Sequence, residues 1–280
     1  MLEIGICSYS FHRLLGAGRQ DIFQYIRDCK ELGCTQLDPW NYHLDLIRRN
    51  DEKIKDEHFM DAGRLLSDEE LYYLEQVKAA ADEVELPFGL IAADGAHIYE
   101  PESNKRALNR ARAYRWLEVA ERLGADQVRI DAGGPEDMPA EVFKIIQEGY
   151  RDVIDRAGEK GIEVLVENHW GPTVLPDNVI KLLENVPGLG LLLDTHNWKT
   201  GFRDEGRARC ARYAKGLHIK TLHWDDDGNE VGENVEEAIR LLLEAGYHGI
   251  WGIESVPDDG DEHAGARKTI ALIRRLVPVT

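Results

Sequence analysis

Four times in the second half of the chain, an apolar run ends abruptly in polar residues capable of chemistry. Ile162-Glu-Val-Leu-Val-Glu-Asn-His169 is followed by Gly190-Leu-Leu-Leu-Asp-Thr-His-Asn197, Gly216-Leu-His-Ile-Lys220 and Gly249-Ile-Trp-Gly-Ile-Glu-Ser255. Apolar runs of this length read as strands buried on both faces, the mark of a parallel sheet. Polar residues confined to their carboxyl ends stand at the mouth of such a sheet, where ligands bind. Successive strand ends therefore offer Glu167, Asp194, His218 and Glu254, residue types that ligate metals.

The rest of the chain supplies the units that would set those ends side by side. A strand at 2–7 leads to a helix at 20–32 closed by Gly33, then to a strand at 35–38 stopped by Pro39-Trp40. Ser67-Asp-Glu-Glu70 matches a capping box and opens a helix running to about Glu83. Strands at 87–92 and 127–130 alternate with helices at 105–123 and 141–160. Helices near 176–185, 204–214, 234–245 and 262–276 then alternate with the strands carrying Asp194, His218 and Glu254. Eight strand–helix units with mostly short connections predict a single-domain (β/α)8 TIM barrel over residues 1–280. A doubly wound open sheet is the competing fold. It normally carries an early phosphate loop, yet no Gly-x-Gly-x-x-Gly follows the first strand and no Gly-x-x-x-x-Gly-Lys-Ser/Thr occurs anywhere. The long charged connection at about 41–67 is expected to be a solvated excursion rather than a lid, with room for a short helix of its own.

Charge narrows the partners. With 52 acidic against 34 basic side chains and a formal charge of -18, the chain is a poor nonspecific binder of nucleic acid. No apolar stretch approaches the roughly 20 residues needed to span a bilayer. The start, Met-Leu-Glu-Ile-Gly-Ile-Cys-Ser, lacks the basic and apolar regions of a secretory signal. Cys7, Cys29, Cys34 and Cys210 show no Cys-x-x-Cys spacing and read as reduced thiols of a cytoplasmic protein. None lies near the four strand ends in sequence, so no thiolate is expected at the site.

In a barrel, strands five to eight form a contiguous arc, and their end residues converge toward the axis. Three carboxylates and an imidazole in a desolvated mouth call for a compensating cation. Oxygen-rich ligation with one nitrogen suits a divalent ion: Mn²⁺, Mg²⁺ or Co²⁺, with Zn²⁺ also able to bind. Several neighbours are candidates for substrate contact. His169 shares a strand face with Glu167, while His196 and Asn197 lie just past Asp194. Lys220 follows His218 by two and is placed to hold an oxygen anion or act as an acid. His97 ends strand three; Arg129 in strand four contacts substrate or is only a buried partner of Asp131. Trp40, Trp170, Trp198 and Trp224 all follow strand ends, where flat rings stack on the apolar faces of sugars.

Val-Glu-Asn-His at 166–169, Leu-Asp-Thr-His at 193–196, Leu-His-Ile-Lys at 217–220 and Gly-Ile-Glu-Ser at 252–255 carry a resemblance. With the opening Ile4-Gly-Ile-Cys-Ser-Tyr-Ser10, the whole chain resembles the sugar phosphate isomerase/epimerase family of xylose-isomerase-like TIM barrels. The resemblance implies one divalent ion, often manganese, held by Glu167, Asp194, His218 and Glu254. It also implies that Glu167 and Glu254 move protons on opposite faces of a sugar or keto-sugar. Proton abstraction beside a carbonyl requires stabilised enediolate oxygens, which a chelated divalent ion provides.

The chain departs from the family pattern at two places. Thr221 stands where many members carry Asp, and Lys220 where ketulose epimerases carry a second histidine. Lys220 fits a metal-dependent lyase as well as an epimerase, whether an inosose-type dehydratase of a cyclitol or a deglycosidase acting on an oxidised glycoside. A catalytically silent sugar-binding barrel is the alternative from another class. Endonuclease IV-like repair, also related, needs further histidines, and His97 is the only early strand-end candidate. No organic cofactor is expected. A homo-oligomer would have to use the outer helices or the 41–67 connection.

Overall fold

The computed structural model describes residues 2–53 and 66–278. Its elements alternate as strand and helix: β1 (Ile4–Cys7), α1 (His12–Gly16), α2 (Ile22–Leu32), β2 (Gln36–Asp38), α3 (Asp45–Asp51), α4 (Asp68–Glu83), β3 (Leu90–Ala93) and α5 (Ser103–Leu123). Then come β4 (Gln127–Ile130), α6 (Ala140–Gly158), β5 (Glu163–Glu167), α7 (Pro176–Asn185), β6 (Leu189–Asp194), α8 (Arg203–Cys210), β7 (Ala214–Thr221), α9 (Val235–Glu244), β8 (Trp251–Ser255) and α10 (Glu262–Leu276). The strands form one sheet in the order β2-β1-β8-β7-β6-β5-β4-β3, every ladder parallel. Isolated bridges, Leu37 with Phe88 and Trp40 with Ala92, join the two edges and close the TIM barrel. At this seam Leu90 N–H donates to Asp38 Oδ1 at 3.0 Å, so a side chain takes the place of a ladder acceptor.

Strand alternation sorts the barrel into two compartments. Val164 and Val166 of β5, Leu191 and Leu193 of β6, and Leu217 and Ile219 of β7 belong to the large core between sheet and helices. Leu90, Leu165 and Leu192 form a separate small cluster inside the barrel. Residues two further along these strands, Glu167 and Asp194 among them, rise from that cluster to the carboxyl mouth. Close approach of strands leaves no room for a side chain at Gly252, where a Cβ would lie 2.0 Å from Leu217 O.

The helix termini follow the sequence signals. Ser67 and Glu70 form the reciprocal capping box, and Gly33 and Gly124 cap α2 and α5 at φ 75° and 76°. Two boundaries differ from expectation by three residues or more. The third strand starts at Leu90 rather than Pro87, because Phe88 makes only a single bridge. The helix expected at 204–214 ends at Cys210, and a 3-10 turn at Ala211–Tyr213 feeds β7. The first part of the 41–67 connection is ordered as a 3-10 turn at Asn41–His43 followed by α3. The excursion's remainder, 54–65, lies outside the described residues, as does the question of a lid.

Buried Arg115 on α5 anchors both flanks of that connection: its Nε donates to Asp51 Oδ1 at 2.5 Å and its Nη2 to Glu70 Oε1 at 2.7 Å. No helix among the described residues is long and apolar enough to cross a membrane. All four cysteines are free and buried.

Candidate metal centre

Register, not loop geometry, assembles the four strand ends. Asp194 is the ladder partner of His218, and Lys220 that of Glu254. Side-chain ligand atoms of Glu167, Asp194, His218 and Glu254 lie within 4.8 Å of one another, and all four residues are buried. His218 Nδ1 stands 2.9 Å from Glu167 Oε1 and 3.1 Å from Glu254 Oε2. Asp194 Oδ1 accepts from the backbone N–H groups of His196 (2.6 Å) and Asn197 (2.8 Å). Its Oδ2, like Glu167 Oε2, makes no hydrogen bond despite full burial and is met only by the charge of a nearby cation, Lys220 for the one and Arg129 for the other.

Asn168 holds the two acidic ends in place. Its Nδ2 donates to Asp194 O and its Oδ1 accepts from Asp194 N–H, both at 2.9 Å, continuing the β5–β6 ladder with a side chain. Thr195 Oγ1 does the same for Lys220 N–H at 2.9 Å.

Two cations compensate the carboxylates. Lys220 Nζ lies 3.3 Å from Asp194 Oδ2, contacts Glu254 and donates to Asn197 Oδ1 at 3.1 Å. Burial would lower its pKa, but Asp194 and Glu254 raise it, so the ammonium stays charged. Arg129 lies 3.0 Å from Glu167 Oε2 and bonds Asp94 at 2.7 Å and Asp131 at 3.0 Å. Burial alone would raise the pKa of Glu254; Lys220 and His218 outweigh it and hold the acid well below the usual carboxylate range. Burial likewise works against Glu167, which His218, His169 and Arg129 hold low. Asp194 differs: desolvation dominates and raises it.

Other expected residues fall into place unevenly. His169 Nδ1 lies 3.2 Å from Asp131 Oδ2 and 4.0 Å from Glu167 Oε2. Burial opposes its charge, yet Glu167 and Asp131 push its pKa up to about 9. Trp170 Nε1 donates to Asp131 at 3.0 Å, and the ring of His97 meets Trp170 edge-on at 5.2 Å. His97 Nε2 pairs with Glu100 at 2.7 Å. Trp40 Nε1 donates to Asp94 Oδ2 at 2.7 Å, which joins it to the Arg129 group. His196 Nδ1 pairs with Glu233 at 2.5 Å. Arg129, with 4% of its side chain exposed, takes the ion-pair role of the two expected for it. Trp224 bridges to Glu230 and sits under Lys268 of α10, while Trp198 packs buried against Gly206.

One cysteine stands nearer the site than its place in the sequence suggests. Cys7, at the end of β1, brings its sulfur into a group with His218 and Glu254 whose ligand atoms lie within 4.8 Å. Its nearness depends on β1 pairing with β8, a consequence of barrel closure that no sequence spacing reveals. Burial pushes the thiol's pKa up, with His218 opposing, so Cys7 is neutral there.

The family model described as "Xylose isomerase-like TIM barrel" matches residues 26–276. No curated protein sequence matches the chain. Among solved structures, the fold is similar to 3-keto-D-glucoside 4-epimerase from E. coli, at TM-score 0.71 and 15% identity, covering 98% of this chain and 100% of that one. D-psicose 3-epimerase from Clostridium cellulolyticum H10 gives TM-score 0.70 and 13% identity, covering 99% and 100%. A probable 3-DHS dehydratase from Bacillus anthracis gives TM-score 0.66 and 13% identity, covering 98% and 99%. At these identities the likeness is one of fold.

Proposed function

The chain belongs to the xylose isomerase-like TIM-barrel family, and from that membership we propose that it is a divalent-metal-dependent isomerase or epimerase of a sugar or keto-sugar. One observation carries the proposal: four ligand-type side chains converge in a buried mouth, where Glu167 Oε2 and Asp194 Oδ2 make no hydrogen bond and each meets a cation only as an ion pair. Three carboxylates buried this close together are costly unless a further positive charge compensates them. Three carboxylates and one imidazole suit a hard or borderline divalent ion, manganese first, with magnesium, cobalt or zinc as alternatives. When bound, such an ion would polarise the carbonyl and neighbouring hydroxyl oxygens of a sugar and so acidify the C–H beside the carbonyl.

The chain's own residues supply the rest. Glu167 and Glu254 would take and return the proton, one carboxylate on each side of the substrate. Arg129 orients Glu167 through its guanidinium, while Asn168 and the backbone of 196–197 fix Asp194. His169 and Asn197 would hold substrate oxygens, and Trp170 and Trp40 would shape the mouth.

A second reading, a metal-dependent lyase, draws on Lys220. Its ammonium reaches Asp194, Glu254 and Asn197 together, where a protonated amine serves as acid for a departing hydroxyl or alkoxide. The four free thiols suit a reducing, cytoplasmic setting.

The deciding experiment measures metal in protein purified without chelator, for the wild type and for His218→Ala. It then follows deuterium uptake from solvent by keto-sugars, repeated with Glu167→Gln. Near-stoichiometric metal lost in His218→Ala, with exchange at a carbon beside the carbonyl lost in Glu167→Gln, is expected. Protein that takes up no metal even from metal-replete buffer overturns the proposal. Products of unchanged mass mark an isomerase; loss of water or an aglycone marks the lyase.

A further inference from the structure

Barrel closure brings a sulfur to the edge of the four-ligand centre. Ile6 of β1 is the ladder partner of Ile253 of β8, so Cys7 and Glu254 stand at the same level of neighbouring strands. His218 lies across β8 on the other side, two residues before Lys220, the ladder partner of Glu254. The ligand atoms of Cys7, His218 and Glu254 lie within 4.8 Å of one another, and all three residues are buried. Donors this near can share one ion at bond lengths of about 2.0–2.3 Å with only small side-chain shifts. The trio shares His218 and Glu254 with the four-ligand set but leaves out Glu167 and Asp194.

Its charge suits a divalent ion. A thiol coordinated to such an ion is deprotonated outright, so sulfur and carboxylate supply two negative charges and the imidazole none. The trio also meets less opposition from Lys220. Asp194, whose Oδ2 lies 3.3 Å from the ammonium, takes no part in it. Glu254 turns Oε1 to Lys220 and Oε2 to His218 Nδ1, 3.1 Å away. The trio thus touches the ammonium through one residue, where the four-ligand set does so through two.

His218 is wired as ligating histidines are, with one nitrogen set against carboxylates. Its Nδ1 stands by Glu167 and Glu254, while its buried Nε2 makes no hydrogen bond. Cys7 is 2% exposed and forms no disulfide, which keeps its sulfur free for an ion. Thiolate is a soft donor that favours zinc, whereas manganese and magnesium favour oxygen. The two overlapping sets therefore differ in the ion each prefers.

We propose that Cys7, His218 and Glu254 form a second ligand set, overlapping the first, that takes a thiophilic divalent ion such as zinc with Cys7 as its thiolate ligand. On binding, the S–H bond breaks, the sulfur bonds the ion and the proton passes to solvent. The proposal rests on reading the strand ends as a metal centre, and it deepens that reading by saying which residue selects the ion.

The test loads the full chain, kept reduced, with zinc or with manganese and records X-ray absorption at each metal. Zinc is expected to show one sulfur neighbour at about 2.3 Å, absent from the manganese-loaded protein and from zinc-loaded Cys7→Ser. Competition titration is expected to find zinc weakened about tenfold in Cys7→Ser and manganese changed by less than about twofold. Cobalt loaded into the wild type supplies a readout that needs no variant, a thiolate-to-cobalt charge-transfer band in the near ultraviolet. Zinc surrounded by nitrogen and oxygen alone overturns the proposal and leaves the four-ligand centre standing. Two sulfurs per zinc would place the ion at Cys29 and Cys34, joined through their backbones at the end of α2, and would overturn it as well. Equal weakening of zinc and manganese in Cys7→Ser marks a packing role and has the same effect. A chain that takes up neither ion overturns this proposal and the proposed function together.

Discussion

Lys220 Nζ lies 3.3 Å from Asp194 Oδ2, the oxygen that the backbone donors of 196–197 leave open, so a divalent ion held by Asp194 there would meet the ammonium. Like charges at such separation repel even under strong screening. Lys220→Met is therefore expected to tighten manganese binding by about tenfold, roughly 1.4 kcal/mol, while lowering turnover. Calorimetric titration of the two proteins measures the first effect and initial rates the second. Weaker manganese binding in the variant would mean the amine supports the ion instead of opposing it.

Arg129 is the buried counter-ion of Asp94, Asp131 and Glu167. Arg129→Met strips three carboxylates of their cation and is expected to cost about 3–5 kcal/mol, the usual penalty for breaking a buried ion pair. Urea denaturation at neutral pH reads this directly. A loss under about 1 kcal/mol, the range of exposed pairs, would show that solvent reaches those acids.

His43 predicts an acid sensitivity. Burial depresses its pKa from 6.5 to about 4, so the unfolded chain binds the proton more readily across that window. Stability from this residue is whole above pH 6.5 and falls as pH drops through the window toward 4, by about 2 kcal/mol between pH 7 and pH 5. In His43→Gln that fraction of the pH dependence should disappear. An unchanged slope of unfolding free energy against pH would place the acid sensitivity elsewhere.

Asn168 replaces a rung of the β5–β6 ladder on both of its hydrogen-bonding sides. Asn168→Leu leaves the Asp194 N–H and C=O buried and unpaired, each worth about 1–3 kcal/mol. The variant is expected to melt earlier and to hold manganese more weakly, because Asp194 loses its fixed position. Intact metal affinity in a destabilised variant would confine the role of Asn168 to the fold.

The four strand-end residues were legible because each closes its own apolar run, and a parallel sheet leaves polar groups nowhere else to go. Asp94, Arg129 and Asp131 were visible as strand-end charges, but their joint pairing with Glu167 needed the side chains in place. Cys7 was out of reach: it stands beside His218 and Glu254 only because the first strand pairs with the last. A position just after a strand fixes where a loop begins, not the way it turns, so the contact of Trp224 with Lys268 of α10 was out of reach as well. His43 lies in a charged stretch without periodicity, and nothing local marks it as buried against Ser8.

The barrel wall is not uniform around its circumference. Between β2 and β3 it is joined by two isolated bridges, a few turn-like backbone bonds such as Gly89 N–H to Leu37 O, and the carboxylate of Asp38. Amide protons along that line should exchange with solvent before those of β5 to β7, since local opening there breaks the fewest bonds. The chain between α4 and β3 crosses the same line, turning at Glu85 with φ 57°. A break in the polypeptide there would sever no ladder, so the fragments on either side keep complementary edges and are expected to reassemble when produced together.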